Sequence, residues 1–272
     1  MRGRSVKEFI EYITIPSKAH VKHADYQKCP GTAFLKYTVE AKTSIDMCIR
    51  MFKKNNDGTY AKDSLDSLQH LSTAILPTIM SHFETYQKYL FAGIFDMSVY
   101  LKEFDIETFF KSLEKISKVI IDPIRLAAHR GYSGTSIGTL LADSLSGWHD
   151  PEKVSKYFSA FSLEYKLFCN DSVKKLKVLW QLRHSIAHTG GTLTLPDSQK
   201  VEELSKFGDQ QIAFEQNFIF EVSRKLHPLV KKATLGIGEA FINSTRDNIL
   251  TDEMNRITKF FEVKSSVNVW LR

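Results

Sequence analysis

Apolar positions along this chain recur mostly at three- and four-residue spacing, the period of helices that bury one face. In "AFLKYTVEAKTSIDMCIRMFKK", residues 33–54, Phe34, Tyr37, Val39, Ile45, Cys48 and Met51 fall largely on one side, and "NNDG" at 55–58 supplies a polar turn. A longer helical pattern runs from about Ser64 to Phe95, with Ile79, Phe83, Tyr86, Leu90 and Ile94 on one stripe and Glu84 beside it. Pro77 interrupts that run, so a kink or a junction of two helices is expected there. Residues 105–120 form a helix with Asp105 as its N-cap, and another helix follows Asp122–Pro123. A further helix is predicted over 150–168, with Pro151 in its first turn. The next, 170–188, starts from Asn170 or Asp171 as cap and ends at Gly190 or Gly191, since glycine accepts the left-handed geometry past a helix end. "TLTL" at 192–195 and "QIAF" at 211–214 are expected to pair as a small hairpin around 196–210. Helix returns over 215–243, with Pro228 as a kink, and 251–272 reads as an amphipathic helix followed by a short strand at "VNVW".

No internal repeat, low-complexity segment or Pro-, Gly- or Ser-rich linker divides the chain. The pattern therefore predicts a mostly α protein: a helical extension at 1–60, a helical domain over 61–272, and a small hairpin after the 170–188 helix. "HRGYSGTSIG" at 129–138 is a glycine-rich connection, and no lysine follows a G-x-x-x-x-G, so a phosphate-binding P-loop is excluded.

Composition narrows the picture. The length of 272 residues suffices for one large domain, and 43% hydrophobic with 25% charged residues is ordinary for a soluble protein. No apolar run is long enough to span a bilayer, and the basic N-terminus is broken by Glu8 and Glu11, so neither a membrane span nor a signal peptide is expected. Three scattered cysteines, Cys29, Cys48 and Cys169, give neither a disulfide framework nor a thiolate zinc site; a reducing cytoplasm fits. The net charge of +6 mildly favours polyanionic partners, although a solvated basic surface explains it as well.

The candidate chemistry gathers in "WQLRHSIAHTGG", residues 180–191, where Arg183, His184 and His188 stand just before a double glycine. Three explanations compete. Cationic side chains near a helix C-terminus are favourable by about 0.3–1 kcal/mol each. His-x-x-x-His can bind zinc, but position 185 is Ser, so the H-E-x-x-H metalloprotease pattern is absent and no third ligand lies nearby. Third, an Arg fork that grips a phosphate and a His that moves protons are together sufficient to cleave RNA, which carries its own 2′-hydroxyl nucleophile. Arg183 and His188 are five residues apart, roughly 140° around an ideal helix, and would converge in one chain only in a frayed last turn.

This stretch resembles the R-x4-6-H signature of the HEPN superfamily: Arg183 and His188 take its two fixed positions, and His184 the polar position after the Arg. The resemblance implies a compact helical bundle with the motif on a late helix. It implies an endoribonuclease that needs no metal or other cofactor and leaves a 2′,3′-cyclic phosphate and a 5′-hydroxyl. It further implies an RNA substrate, a homodimer whose two motifs face each other, a setting in anti-phage defence or toxin action, and an antitoxin or regulatory partner. Carried onto this chain, Arg183 stabilises the pentacovalent transition state, His188 is the general base or acid, and His184 orients the phosphate or supports His188. Glu84 is the candidate support for Arg183, with His82 of the same standing, although both are read equally as ordinary helix residues. Some members of the superfamily are inactive, so a non-catalytic module binding RNA, a nucleotide or a protein is the alternative. His129 with Arg130 is a candidate phosphate contact. His20 and His23 near Cys29 have only a loose metal-like spacing.

Overall fold

The computed structural model describes residues 8–13, 21–120, 123–128, 136–215 and 217–264. The expected strand at 267–270, His20, and His129 with Arg130 lie outside them. The described chain is a helical bundle, with a single two-stranded ladder after its motif helix.

The bundle is built around one long helix. α1 (His23–Lys28) and α2 (Pro30–Ile49) lead to α3 (Lys62–Met97), a 36-residue helix about 54 Å long. Pro77 sits inside α3 without dividing it, so the junction of two helices that the sequence allows is absent. An interior proline costs about 3 kcal/mol. Here Leu76, Ile79, Met80 and Phe83 are all fully buried around it, at about 1.5–3 kcal/mol each, and outweigh that cost. Pro228 is carried in the same way inside α10 (Phe218–Asn243).

Among the elements that pack on α3 are α2, α10, α8 (Asn170–His188) and α6 (Ile137–Ser144). From α2, Phe34 meets Phe83 and Tyr86 with ring centroids 5.5 and 5.9 Å apart. From α10, Thr234 hydrogen-bonds the buried Tyr86 hydroxyl at 2.9 Å. α8 sets Trp180 6.4 Å from Phe83. α6 lies so close that a Cβ on Gly138 would fall 2.1 Å from the Ala92 carbonyl oxygen, and the Gly138 N–H donates to Asp96 at 2.8 Å. The sequence reading leaves α6 in a loop; the helix is only eight residues long, and its packing needs glycine rather than an apolar stripe. The helix before residue 61 and those after residue 214 thus share one core with the middle of the chain.

α4 (Ile106–Ile116) follows its expected cap, Asp105, whose carboxylate accepts the Thr108 N–H. The short α5 (Pro123–Ala128) comes next. α7 (Pro151–Ser159) starts as predicted, with Asp150 as cap, but ends well before residue 168. The backbone turns at Ser162, where φ is 56°, and delivers Phe161, Leu163, Leu167 and Phe168 to the core from irregular chain. These residues mimic a helical period without forming a helix. α11 (Thr251–Phe260) is likewise shorter than the pattern over 251–272 suggests. No described helix is long and apolar enough to cross a membrane.

Candidate functional site

α8 spans residues 170–188 as the sequence predicts, with one correction at its start. Cys169 holds the N-cap position, while Asn170 is already helical and its amide oxygen accepts Lys166 Nζ at 2.8 Å. Val173, Leu176 and Trp180 bury the helix against the bundle. Its last turn is intact: the Thr189 N–H donates to the Ser185 carbonyl, and so does that of Gly191, at 3.1 Å. Gly190 and Gly191 take φ of 61° and 84°, the left-handed region that closes helix ends. The frayed turn that would join Arg183 to His188 within one chain is therefore absent.

The double glycine feeds directly into the ladder. β1 (Thr192–Leu193) pairs antiparallel with β2 (Gln210–Gln211), Thr192 opposite Gln211. The predicted hairpin exists, with its second strand one residue earlier and shorter than expected. Between the strands, α9 (Leu195–Ser198) and a 3-10 turn at Glu202–Phe207 fold back beside α8. Thr194 caps α9, and Asp209, itself at φ 58°, accepts the Leu195 N–H at 2.8 Å.

This return brings a carboxylate to the motif. Asp197 is buried, 6% exposed, and Lys200 Nζ lies 2.7 Å from its Oδ1. The Lys200 hydrogen bond is the main reason its carboxyl is held below the usual range. Asp197 and Lys200 both act electrostatically on His184. His184 is exposed, with its ring 4.7 Å from that of His188, which is also exposed. Partial desolvation holds the His184 pKa below the ordinary histidine value; Asp197 opposes this, while His188, Lys200 and Arg183 reinforce it. His184 is thereby shifted towards its neutral form.

Arg183 faces another way. Its Nε is buried, and its guanidinium makes no hydrogen bond or ion pair among the described residues. One turn before it, the Trp180 indole N–H is also buried and unpartnered, and His149 stands edge-on to that ring at 6.3 Å. A buried donor without an acceptor is costly, about 1–3 kcal/mol.

The other sequence candidates lie elsewhere. Glu84 pairs with Lys88 at 2.8 Å, and no hydrogen bond or ion pair joins it to Arg183 among the described residues. The carboxylate that reaches the motif is Asp197. His82 belongs to the α2–α3 packing: its ring stacks on Tyr37 at 3.4 Å and its Nδ1 bonds the Tyr26 hydroxyl at 2.7 Å. His23 bonds Tyr89, whereas the Cys29 thiol donates to the Glu262 carbonyl, so these two do not form a ligand pair. Among the described residues, no three His, Cys, Asp or Glu side chains come together as a metal site.

A protein-family model described as RiboL-PSP-HEPN matches residues 43–214. That span runs from the middle of α2 to just past β2, and so contains all of α8 together with Asp197 and Lys200. No curated protein and no solved structure matches the chain.

Proposed function

The chain belongs to the RiboL-PSP-HEPN family, and from that membership we propose that it is an endoribonuclease acting through Arg183 and His188. The observation that carries the reading is an arginine without a carboxylate partner among the described residues, on the same helical turns as two exposed histidines, one of them shifted towards its neutral form. A carboxylate bound to Arg183 would compete with a phosphate; Asp197, the acid that acts on His184, is engaged by Lys200.

The chemistry follows from those groups. His188 accepts the proton of the 2′-hydroxyl as its oxygen bonds to the neighbouring phosphorus. The bond from phosphorus to the 5′-oxygen breaks, and the departing oxygen takes up a proton from solvent water, while His188 later returns its own to solvent. Arg183 holds the charge that builds on the phosphoryl oxygens. His184, beside His188, positions the phosphate. The products are a 2′,3′-cyclic phosphate and a 5′-hydroxyl, and no metal ion is required because the nucleophile belongs to the RNA. The setting that accords with the superfamily resemblance is phage defence or toxicity, with an antitoxin or regulatory partner restraining the enzyme.

Arg183 and His188 diverge by roughly 140° on an intact helix. We therefore place the working pair across a homodimer, Arg183 from one subunit and His188 from the other. Arg183→Ala and His188→Ala should each abolish RNA cleavage in proteins that remain folded. Mixed and allowed to exchange subunits, the two variants should recover about a quarter of wild-type activity, because half the dimers are mixed and each of those keeps one whole site. Inactive variants that do not complement would place the pair within one subunit. Variants that cleave normally would overturn the assignment, and variants that only weaken RNA binding would favour the non-catalytic module.

A further inference from the structure

A groove of about 840 Å³ opens between α7, the amino-terminal half of α8 and the segment at 200–203. Five lysines line it: Lys156, Lys166, Lys174, Lys177 and Lys200. Three glutamates also line it, which leaves an excess of two positive charges, and Glu152 among them is taken up by Lys177 at 2.6 Å. Lys156 and Lys174 are exposed and form no ion pair among the described residues, while Lys166 is held by the neutral Asn170. With Lys177 engaged by Glu152 and Lys200 by Asp197, the free lysines Lys156, Lys166 and Lys174 face the exposed Glu202 and Glu203, a net of one positive charge, over a floor that includes Leu163 and Val173.

The direction of the groove matters more than its charge. Lys174 and Lys177 stand on the face of α8 that also carries His184 and His188, all four within about 80° of arc. From Lys174 to His184 the helix rises about 15 Å. Lys200 marks the far end. It lines the groove, pairs with Asp197, and acts electrostatically on His184. The row of lysines therefore leads to the histidine pair.

We propose that this groove carries the phosphodiester backbone of the substrate RNA on one side of the scissile phosphate. Flexible lysines spaced along a helix suit the repeated point charges of a single strand and place no demand on base identity. That the groove leads to a reaction centre rests on the ribonuclease reading above; its affinity for RNA does not.

The test separates the two. Lys156→Gln, Lys166→Gln and Lys174→Gln are combined, since all three residues are exposed and removing them breaks no ion pair. Binding of a fluorescent 2′-O-methyl RNA, which lacks the nucleophile, is measured between about 50 and 200 mM salt. Cleavage of ordinary RNA is followed in parallel, with His188→Ala as the control. The wild type and His188→Ala should share one salt dependence, and the triple variant should bind more weakly, with the slope of log affinity against log salt reduced by about 2–3. An unchanged slope and affinity in the triple variant would overturn the groove assignment, whether or not the wild type cleaves. Absence of RNA binding by the wild type would overturn it as well. A reduced slope without cleavage of any RNA would uphold the groove while removing the ribonuclease reading.

Discussion

His184 shows how a surface residue acquires a chemical role from its neighbours. An isolated histidine near a helix end titrates near pH 6.5. Here desolvation comes first in lowering that value, with His188, Lys200 and Arg183 adding to it, and Asp197 opposes them. Asp197→Asn removes the opposing charge and frees Lys200, so both effects push the same way. Followed by NMR of the imidazole, His184 should titrate below the ordinary histidine value in the wild type and lower still in Asp197→Asn; an upward movement would contradict the electrostatics described. That Arg183, His184 and His188 share the end of one helix is legible in the sequence, because all three are local to it. The place of Asp197 is not, since it reaches the motif only through the return of chain after the double glycine. Likewise His149 meets Trp180 from a loop ahead of α7. Glu84 looked suitable by its place beside the apolar stripe of α3, but a lysine one turn on already neutralises it.

At the scale of elements, apolar period and end signals located what they physically control. α8 is followed by a double glycine, and its end agrees with the prediction. The cap at Asp105 marks the start of α4, which ends at Ile116, short of the predicted residue 120. α6 escaped notice because a short helix packed through a glycine has little periodicity to read. The prolines in α3 and α10 do not end their helices, because the burial of the residues around them offsets the local cost. The seam between α2 and α3 carries its own prediction. Burial against Tyr37 and Tyr26 depresses the His82 pKa to about 4. The unfolded chain then takes up the proton first as pH falls, so the stabilisation from the neutral ring is whole above about pH 6.5 and is lost progressively towards pH 4. For a partly accessible ring this amounts to about 1–2 kcal/mol. His82→Gln, which keeps an acceptor for Tyr26, should lose less stability than the wild type between pH 7 and 5 in urea unfolding. Equal losses would mean that His82 does not govern this window.

The described molecule combines an aromatic core with a lysine-lined groove beside the helix that carries Arg183, His184 and His188. The core draws on helices from both ends of the chain, so α2 and α10 hold α3, and α3 in turn supports Trp180 and the turns that bear Arg183. The groove is assembled from α7, α8 and the chain after α9; no single stretch of sequence announces it, and the net charge of +6 hints at it only weakly. The central claim is that RNA supplies the nucleophile and this chain supplies only charge and proton transfer. It is tested most directly by incubating the purified protein in EDTA with an RNA, and with the same RNA carrying a single 2′-deoxy residue at the cleavage position, and then determining the product ends. The account predicts cleavage of the first, leaving a 2′,3′-cyclic phosphate and a 5′-hydroxyl, and none at the deoxy position. A 5′-phosphate, cleavage at the deoxy position, or loss of all cleavage on chelation would contradict it.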